Sequence, residues 1–81
     1  MIGLLTFQVG RQRYTATLTD DLHWSCDDAR VQQELTETFP AEPSDEVPNL
    51  VVGRHLLYQT ASRLGGRVEV PSRRRSMAEL V

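Results

Sequence analysis

The sequence contains little cysteine, few aromatic residues and no long apolar run, and each shortage excludes a class of protein. One cysteine is present, which rules out an internal disulfide framework and any all-cysteine zinc site. No run of aromatic residues offers a platform for stacking nucleic-acid bases. No apolar run approaches the ~20 residues that a membrane span needs, and no basic segment followed by an apolar stretch opens the chain. We therefore expect a cytoplasmic protein with no membrane partner.

The residues that are present are typical of one small globular domain. The chain has 81 residues, of which 40% are hydrophobic and 25% charged, unlike a collagen-like or wholly disordered chain. A core of this size supplies only ~3–5 kcal/mol, so a protein partner or a second copy would stabilise the fold. We expect a single domain over residues 1–71 and a flexible, arginine-rich tail over residues 72–81.

Acidic residues are concentrated in the middle of the chain. Residues 20–46 contain nine acidic residues and one base, Arg30, whereas the other bases lie in the flanking segments. Such a segment can present a negative face to the basic surface of a protein partner, or can serve only to keep the protein in solution. The candidate residues of this acidic face are Asp20, Asp21, Asp27, Asp28, Glu34 and Glu37.

The first nineteen residues alternate between apolar and polar side chains on both sides of Gly10-Arg11. This period of two predicts a β-hairpin, and a glycine at the first turn position is typical of a two-residue type II′ turn. A turn of that length would pair Phe7 with Tyr14 and Leu5 with Ala16. A four-residue loop would change the pairing but leave every side chain on the same face of the sheet.

A first helix is predicted to begin near Ser25 and to end at about Phe39, because Pro40 follows. Ser25 with Asp28 resembles a capping box, and Asp27 is an alternative N-cap. The helix has one narrow apolar stripe, which indicates a surface helix that packs on the hairpin. The stripe consists of Val31, Leu35 and Phe39. Before this helix, residues 22–24 are interpreted as a short extended segment.

A second helix is predicted over residues 48–64, with Pro48 in its first turn and Gly65-Gly66 at its end. Its side chains are apolar around most of the circumference, so the helix is either central to the domain or pressed against another chain. We expect a partner or dimer interface around Val52 and Leu56, with full burial in the monomer as the alternative. Residues 67–70 are predicted to form the last strand.

Side chains that carry catalytic or metal chemistry are sparse. Cys26 with His23 or His55 is the one combination that could form a cysteine–histidine nucleophile, and no known signature surrounds Cys26. His23 and Cys26 have ligand-like spacing, but a structural zinc site normally shows two paired motifs. The paired acids match no calcium loop, and Gly65-Gly66 follows a predicted helix, the reverse of the order in phosphate-binding loops. We expect no enzyme activity, no metal and no cofactor.

The arginines suggest a second function. All nine basic residues are arginine, and three of them, Arg73, Arg74 and Arg75, are consecutive. Such a cluster can contact phosphates with modest and salt-dependent affinity. It therefore supports an alternative role as a nucleic-acid-associated accessory protein.

The order of predicted elements resembles that of short accessory proteins of bacteriophages and other mobile elements. The residues that carry the resemblance are the hairpin, the segment His23-Trp24-Ser25-Cys26-Asp27-Asp28, two helices separated by a proline-rich loop, and Leu64-Gly65-Gly66-Arg67-Val68. Such proteins are commonly virion components or stoichiometric inhibitors of host systems. The resemblance implies a non-enzymatic binding role and assigns no functional residue.

Together these observations predict an α+β domain of order ββααβ, with both helices on one face of a three-stranded antiparallel sheet. The main functional hypothesis is a non-enzymatic protein-interaction module that binds a protein partner, or a second copy of itself, through the acidic face or the second helix.

Overall fold

A computed structural model describes residues 1–70 of the chain, and it confirms the α+β class. The predicted tail with Arg73, Arg74 and Arg75 lies outside the described residues. The elements are β1 (Gly3–Val9), β2 (Gln12–Leu18), β3 (Trp24–Cys26), α1 (Ala29–Thr38), α2 (Asn49–Leu64) and β4 (Arg67–Glu69). The strands form one antiparallel sheet in the order β3-β2-β1-β4. The sheet therefore has four strands in place of the three expected.

The hairpin has the predicted register. Phe7 pairs with Tyr14 and Leu5 with Ala16, across a two-residue turn at Gly10 and Arg11. Gly10 has a positive φ of 62° and Arg11 does not, as a type II′ turn requires. The local signals were sufficient because a two-residue turn with glycine at its first position fixes the register of both strands.

The additional strand, β3, lies where the start of the first helix was expected. Trp24 pairs with Leu18 and Cys26 with Ala16, so the segment extends the sheet beyond β2. The helix begins only after Asp28, whose Oδ1 accepts hydrogen bonds from the backbone N–H groups of Arg30 (2.9 Å) and Val31 (3.2 Å). Neither Ser25 nor Asp27 is the N-cap. Three strand residues are too few to show a period of two in the sequence, whereas the cap signals are strong.

One face of the sheet carries the core. Leu5 and Phe7 of β1, Leu18 of β2 and Trp24 of β3 have 0–5% of their surface exposed, and they share one cluster with the buried residues of both helices. Helix α1 packs mainly against β3, and α2 packs against β1 and β4. Neither helix within residues 1–70 has the length and apolar character that crossing a membrane demands.

Helix α2 is rotated about its axis relative to the sequence-based expectation. Leu56 has 8% of its surface exposed and lies in the core, and Val52 is half-buried, so the apolar surface expected around these two residues is not exposed. The cause is Gly53, where an added Cβ would lie 2.4 Å from the Cδ1 atom of Ile2 and 3.2 Å from the Cδ2 atom of Leu18. The helix backbone lies close to Ile2 and Leu18 there, and a count of apolar side chains gives a glycine no weight.

Candidate functional site

The hairpin extends beyond the rest of the sheet at its turn end. Strands β1 and β2 have seven residues each, whereas β3 and β4 have three and pair only with the first half of β1 and the last half of β2. The part from Phe7 to Tyr14, which we call the hairpin tip, therefore has no neighbouring strand among residues 1–70. Helix α1 and the C-terminal end of α2 flank it on the core side.

A groove of about 380 Å³ lies between the hairpin tip, α1 and the end of α2. Its apolar lining consists of Phe7, Val9, Tyr14, Val31, Leu35, Phe39 and Leu64. Ligand sites typically have volumes of about 300–1,000 Å³, so the groove can hold one or two large apolar side chains. We call it the binding groove.

The two aromatic rings of the hairpin tip define part of the binding groove. The ring centroids of Phe7 and Tyr14 are 5.7 Å apart with an interplanar angle of 35°. Phe7 is 5% exposed, whereas Tyr14 is half-buried and Val9 has 57% of its surface in contact with solvent. An exposed valine beside a partly covered aromatic pair is an apolar surface that a partner's side chain could cover.

Two hydrogen bonds hold α1, which forms one wall of the binding groove, against β3. The indole Nε1 of Trp24 donates to the backbone carbonyl of Phe39 at 3.0 Å, and the backbone N–H of Cys26 donates to Oε1 of Gln32 at 3.0 Å. Each bond joins one end of the helix to the sheet, so the wall is fixed in position. A preformed wall lowers the entropic cost of binding.

The predicted acidic face is divided among three places. Asp28 and Glu34 line the binding groove together with Arg30 and Thr38. Asp27 and Glu37 lie at a second cleft, which also contains Cys26 and Gln32. None of these four residues lines the binding groove. Asp20 and Asp21 lie in the turn between β2 and β3, where Asp20 contacts the N-terminal ammonium group at 2.9 Å.

Three of the six acidic residues already have partners in the domain: Asp20 pairs with the N-terminus, Asp28 is the N-cap of α1, and Oε1 of Glu37 accepts a hydrogen bond from Nε2 of Gln33 at 3.2 Å. Glu34 is therefore the candidate whose carboxylate is both at the groove and not involved in a hydrogen bond or ion pair within residues 1–70.

Two further surfaces are exposed. The sheet face opposite the core, which we call the open face, carries Leu4, Thr6, Gln8, Arg13, Thr15, Thr17, Ser25, Arg67 and Glu69. Helix α2 and the segment just before it expose four apolar side chains that we call the α2 stripe: Val47 (38% exposed), which precedes the helix, and Leu50 (43%), Val51 (54%) and Tyr58 (57%) within it. Arg54, which lies between Leu50 and Tyr58 around the helix axis, is also exposed.

The candidate catalytic and metal-binding residues do not converge. Among residues 1–70, no three side chains of histidine, cysteine, aspartate or glutamate come together in an arrangement that could hold a metal ion. Cys26 is half-buried, and His23 and His55 are exposed on different elements.

Sequence reasoning missed the binding groove because it interpreted Phe7, Tyr14 and Val31 as ordinary core positions. The groove lies where β1 and β2 extend beyond the shorter strands. The one signal in the sequence was Val9, an apolar residue directly before the predicted turn. No protein-family model, curated protein sequence or solved structure matches the chain. Its function has to be inferred from its own residues.

Proposed function

We propose that the protein is a non-enzymatic protein-interaction module whose binding groove takes an apolar side chain or short apolar segment of a protein partner. The observation that carries this proposal is the open apolar lining of the groove, which the hairpin tip, α1 and the end of α2 form together. The implied mode of action is stoichiometric binding, in agreement with the role that the resemblance to phage and mobile-element accessory proteins implies.

The charges around the groove favour a partner segment with a basic residue beside its apolar anchor. Glu34 lies on the exposed rim and would attract a basic side chain of the partner. Arg30, one helical turn earlier, would repel a basic side chain placed next to it. Rim charges act mainly on the rate of association and on its salt dependence, whereas the buried apolar anchor supplies most of the affinity. We therefore expect the apolar lining to determine affinity and Glu34 to determine specificity.

The experiment is capture of a partner from nuclease-treated lysate of the source cell. It compares two variants that carry the same substitution at adjacent positions of β1. Val9→Glu places a carboxylate at the lining of the groove, and Gln8→Glu places the same charge on the same strand but on the open face. Both side chains are exposed, so neither substitution opens the core. We expect a stoichiometric partner with the unmodified chain and with Gln8→Glu, and loss of that partner with Val9→Glu.

Charge reversal on α1 supplies a second matched pair. Glu34→Lys changes the rim of the groove, and Glu37→Lys makes the same charge change one turn along the helix, at the separate cleft beside Cys26. The first should weaken binding several-fold, more so at low salt, and the second should have a smaller effect.

Equal capture by Val9→Glu and Gln8→Glu would rule out the groove as the binding site.

The open face supports the alternative function. Arg13 and Arg67 lie on this uncovered polar face, and neither forms an ion pair within residues 1–70. Arginines on a flat polar surface can contact phosphates, and such binding weakens steeply with salt. If the protein acts on nucleic acid, Arg13→Ala should reduce a low-salt gel shift of DNA or RNA. Absence of any shift at low salt excludes this alternative.

A further inference from the structure

Strand β4 forms one edge of the sheet, and within residues 1–70 no strand pairs with its outer side. An edge strand exposes backbone donors and acceptors that can pair with a strand of another chain. This edge is on the opposite side of the sheet from β3 and α1, so it does not overlap the binding groove.

The charges of β4 are complementary to those of a second copy of the same strand. Arg67 and Glu69 flank Val68, and both lie on the open face. In an antiparallel pair of two β4 strands centred on Val68, Arg67 of each copy lies opposite Glu69 of the other. Opposite charges in directly opposed positions stabilise a strand pair, and like charges destabilise it. Neither residue forms an ion pair inside the described part of the monomer.

The α2 stripe lies on the same side of the domain as the β4 edge. Gly53 faces Leu18 of β2, whereas Leu57, ~40° further around the helix, faces Gly3 beside Val70 at the end of β4. Continuing in that direction around the helix leads to the exposed side chains of Leu50, Arg54, Tyr58 and Val51, so one arginine lies among the apolar residues of the stripe.

We propose that the protein forms a homodimer in which β4 pairs antiparallel with β4 of a second copy and the two α2 stripes face each other above the joined sheet. Neighbouring strands are ~4.8 Å apart, so two α2 helices that each lie above β1 and β4 would have axes ~10–14 Å apart. Packed helices have axes 8–10 Å apart, and a large side chain such as Tyr58 can span the remaining gap.

The size of this surface predicts a dimer that dissociates on dilution. A standard interface involves about 20–30 residues from each partner, and the strand and the stripe together provide fewer. The equilibrium should therefore be measured over a wide range, from about 1 µM to about 1 mM chain.

The test uses full-length chains with charge reversals on β4, examined by sedimentation equilibrium in reducing buffer so that Cys26 cannot cross-link copies. In a dimer of R67E chains, acidic side chains face each other in both pairs between positions 67 and 69. In a dimer of E69R chains, arginines face each other in both pairs. We expect the unmodified chain to change from monomer to dimer as concentration rises. Each single variant should dimerise at least ~10-fold more weakly. An equimolar mixture of the two single variants and the R67E/E69R double variant should each regain association, because opposite charges face each other again.

Regained association also shows that the single variants were folded. A chain that stays monomeric throughout the range overturns the proposal. So do single variants that dimerise as strongly as the unmodified chain, since another surface would then be responsible. A mixture that fails to associate overturns it as well, because complementary charges would not be what joins the copies. None of these results depends on whether the binding groove takes a partner.

Discussion

Replacement of Gly53 by alanine tests the close approach of α2 to the sheet. An added methyl group would lie 2.4 Å from Cδ1 and 2.8 Å from Cγ2 of Ile2, both below the distance that real contacts allow. Rotation of χ2 moves Cδ1 but leaves Cγ2 in place, so the whole Ile2 side chain has to shift. Ile2 has little freedom to do so, since it is 2% exposed and its backbone N–H donates to the carbonyl of Leu18 at 2.8 Å.

Two effects of opposite sign decide the outcome. Alanine is favoured over glycine in a helix interior by ~1 kcal/mol, and overpacking a core typically costs ~1–3 kcal/mol. Because two contacts are too short at Gly53, we expect overpacking to dominate and the free energy of unfolding to fall by ~1 kcal/mol. That change corresponds to a decrease of ~4–8 °C in the melting temperature of a domain of this size.

The assay is urea unfolding followed by the fluorescence of Trp24, the one tryptophan, which is 4% exposed. Ile2→Val removes the atom that makes the shortest contact and by itself costs ~0.5–1.5 kcal/mol. In the Gly53→Ala background the same change should cost less, so the double-mutant cycle should show a coupling. If Gly53→Ala stabilises the protein by ~1 kcal/mol and the two changes are additive, α2 does not approach Ile2 as described.

The same assay checks two further residues. Asp28→Ala should lower the free energy of unfolding by ~1 kcal/mol, because it removes the acceptor of two backbone N–H groups at the start of α1, whereas Asp28→Asn should have little effect. Thr60→Val should raise the free energy of unfolding by ~1 kcal/mol, because the Thr60 side chain is 0% exposed and its hydroxyl has no hydrogen-bond partner within the described residues. A stabilising Asp28→Ala or a destabilising Thr60→Val would show that these local environments differ from those described.

The position of Gly53 also connects the proposed dimer to the fold. By bringing the helix backbone onto Ile2 and Leu18, it turns Leu56 into the core and leaves Tyr58 and the rest of the α2 stripe exposed. The large exposed apolar side chains of α2 are therefore Leu50, Val51 and Tyr58. The sequence-based expectation placed the exposed apolar surface around Val52 and Leu56.

The acidic segment shows how far a charge pattern can be interpreted. Nine acidic residues lie between positions 20 and 46, and they suggest one continuous face. In the structure the turn between β2 and β3 separates Asp20 and Asp21 from α1, and the helix itself directs Glu34 and Glu37 to different clefts. A sequence gives the number of charges, but helix periodicity and chain direction determine which of them act together.

Local interactions explain the features that could be predicted from the sequence: the hairpin with its register, the end of α1 near Phe39 and the end of α2 at Gly65, which has a φ of 66°. Each depends on a short-range preference, such as alternation of side chains or the tolerance of glycine for positive φ. Three features could not be predicted in this way: the strand Trp24–Cys26, the rotation of α2 and the position of the binding groove. These features arise from contacts between residues distant in the chain, for which no single segment carries a signal.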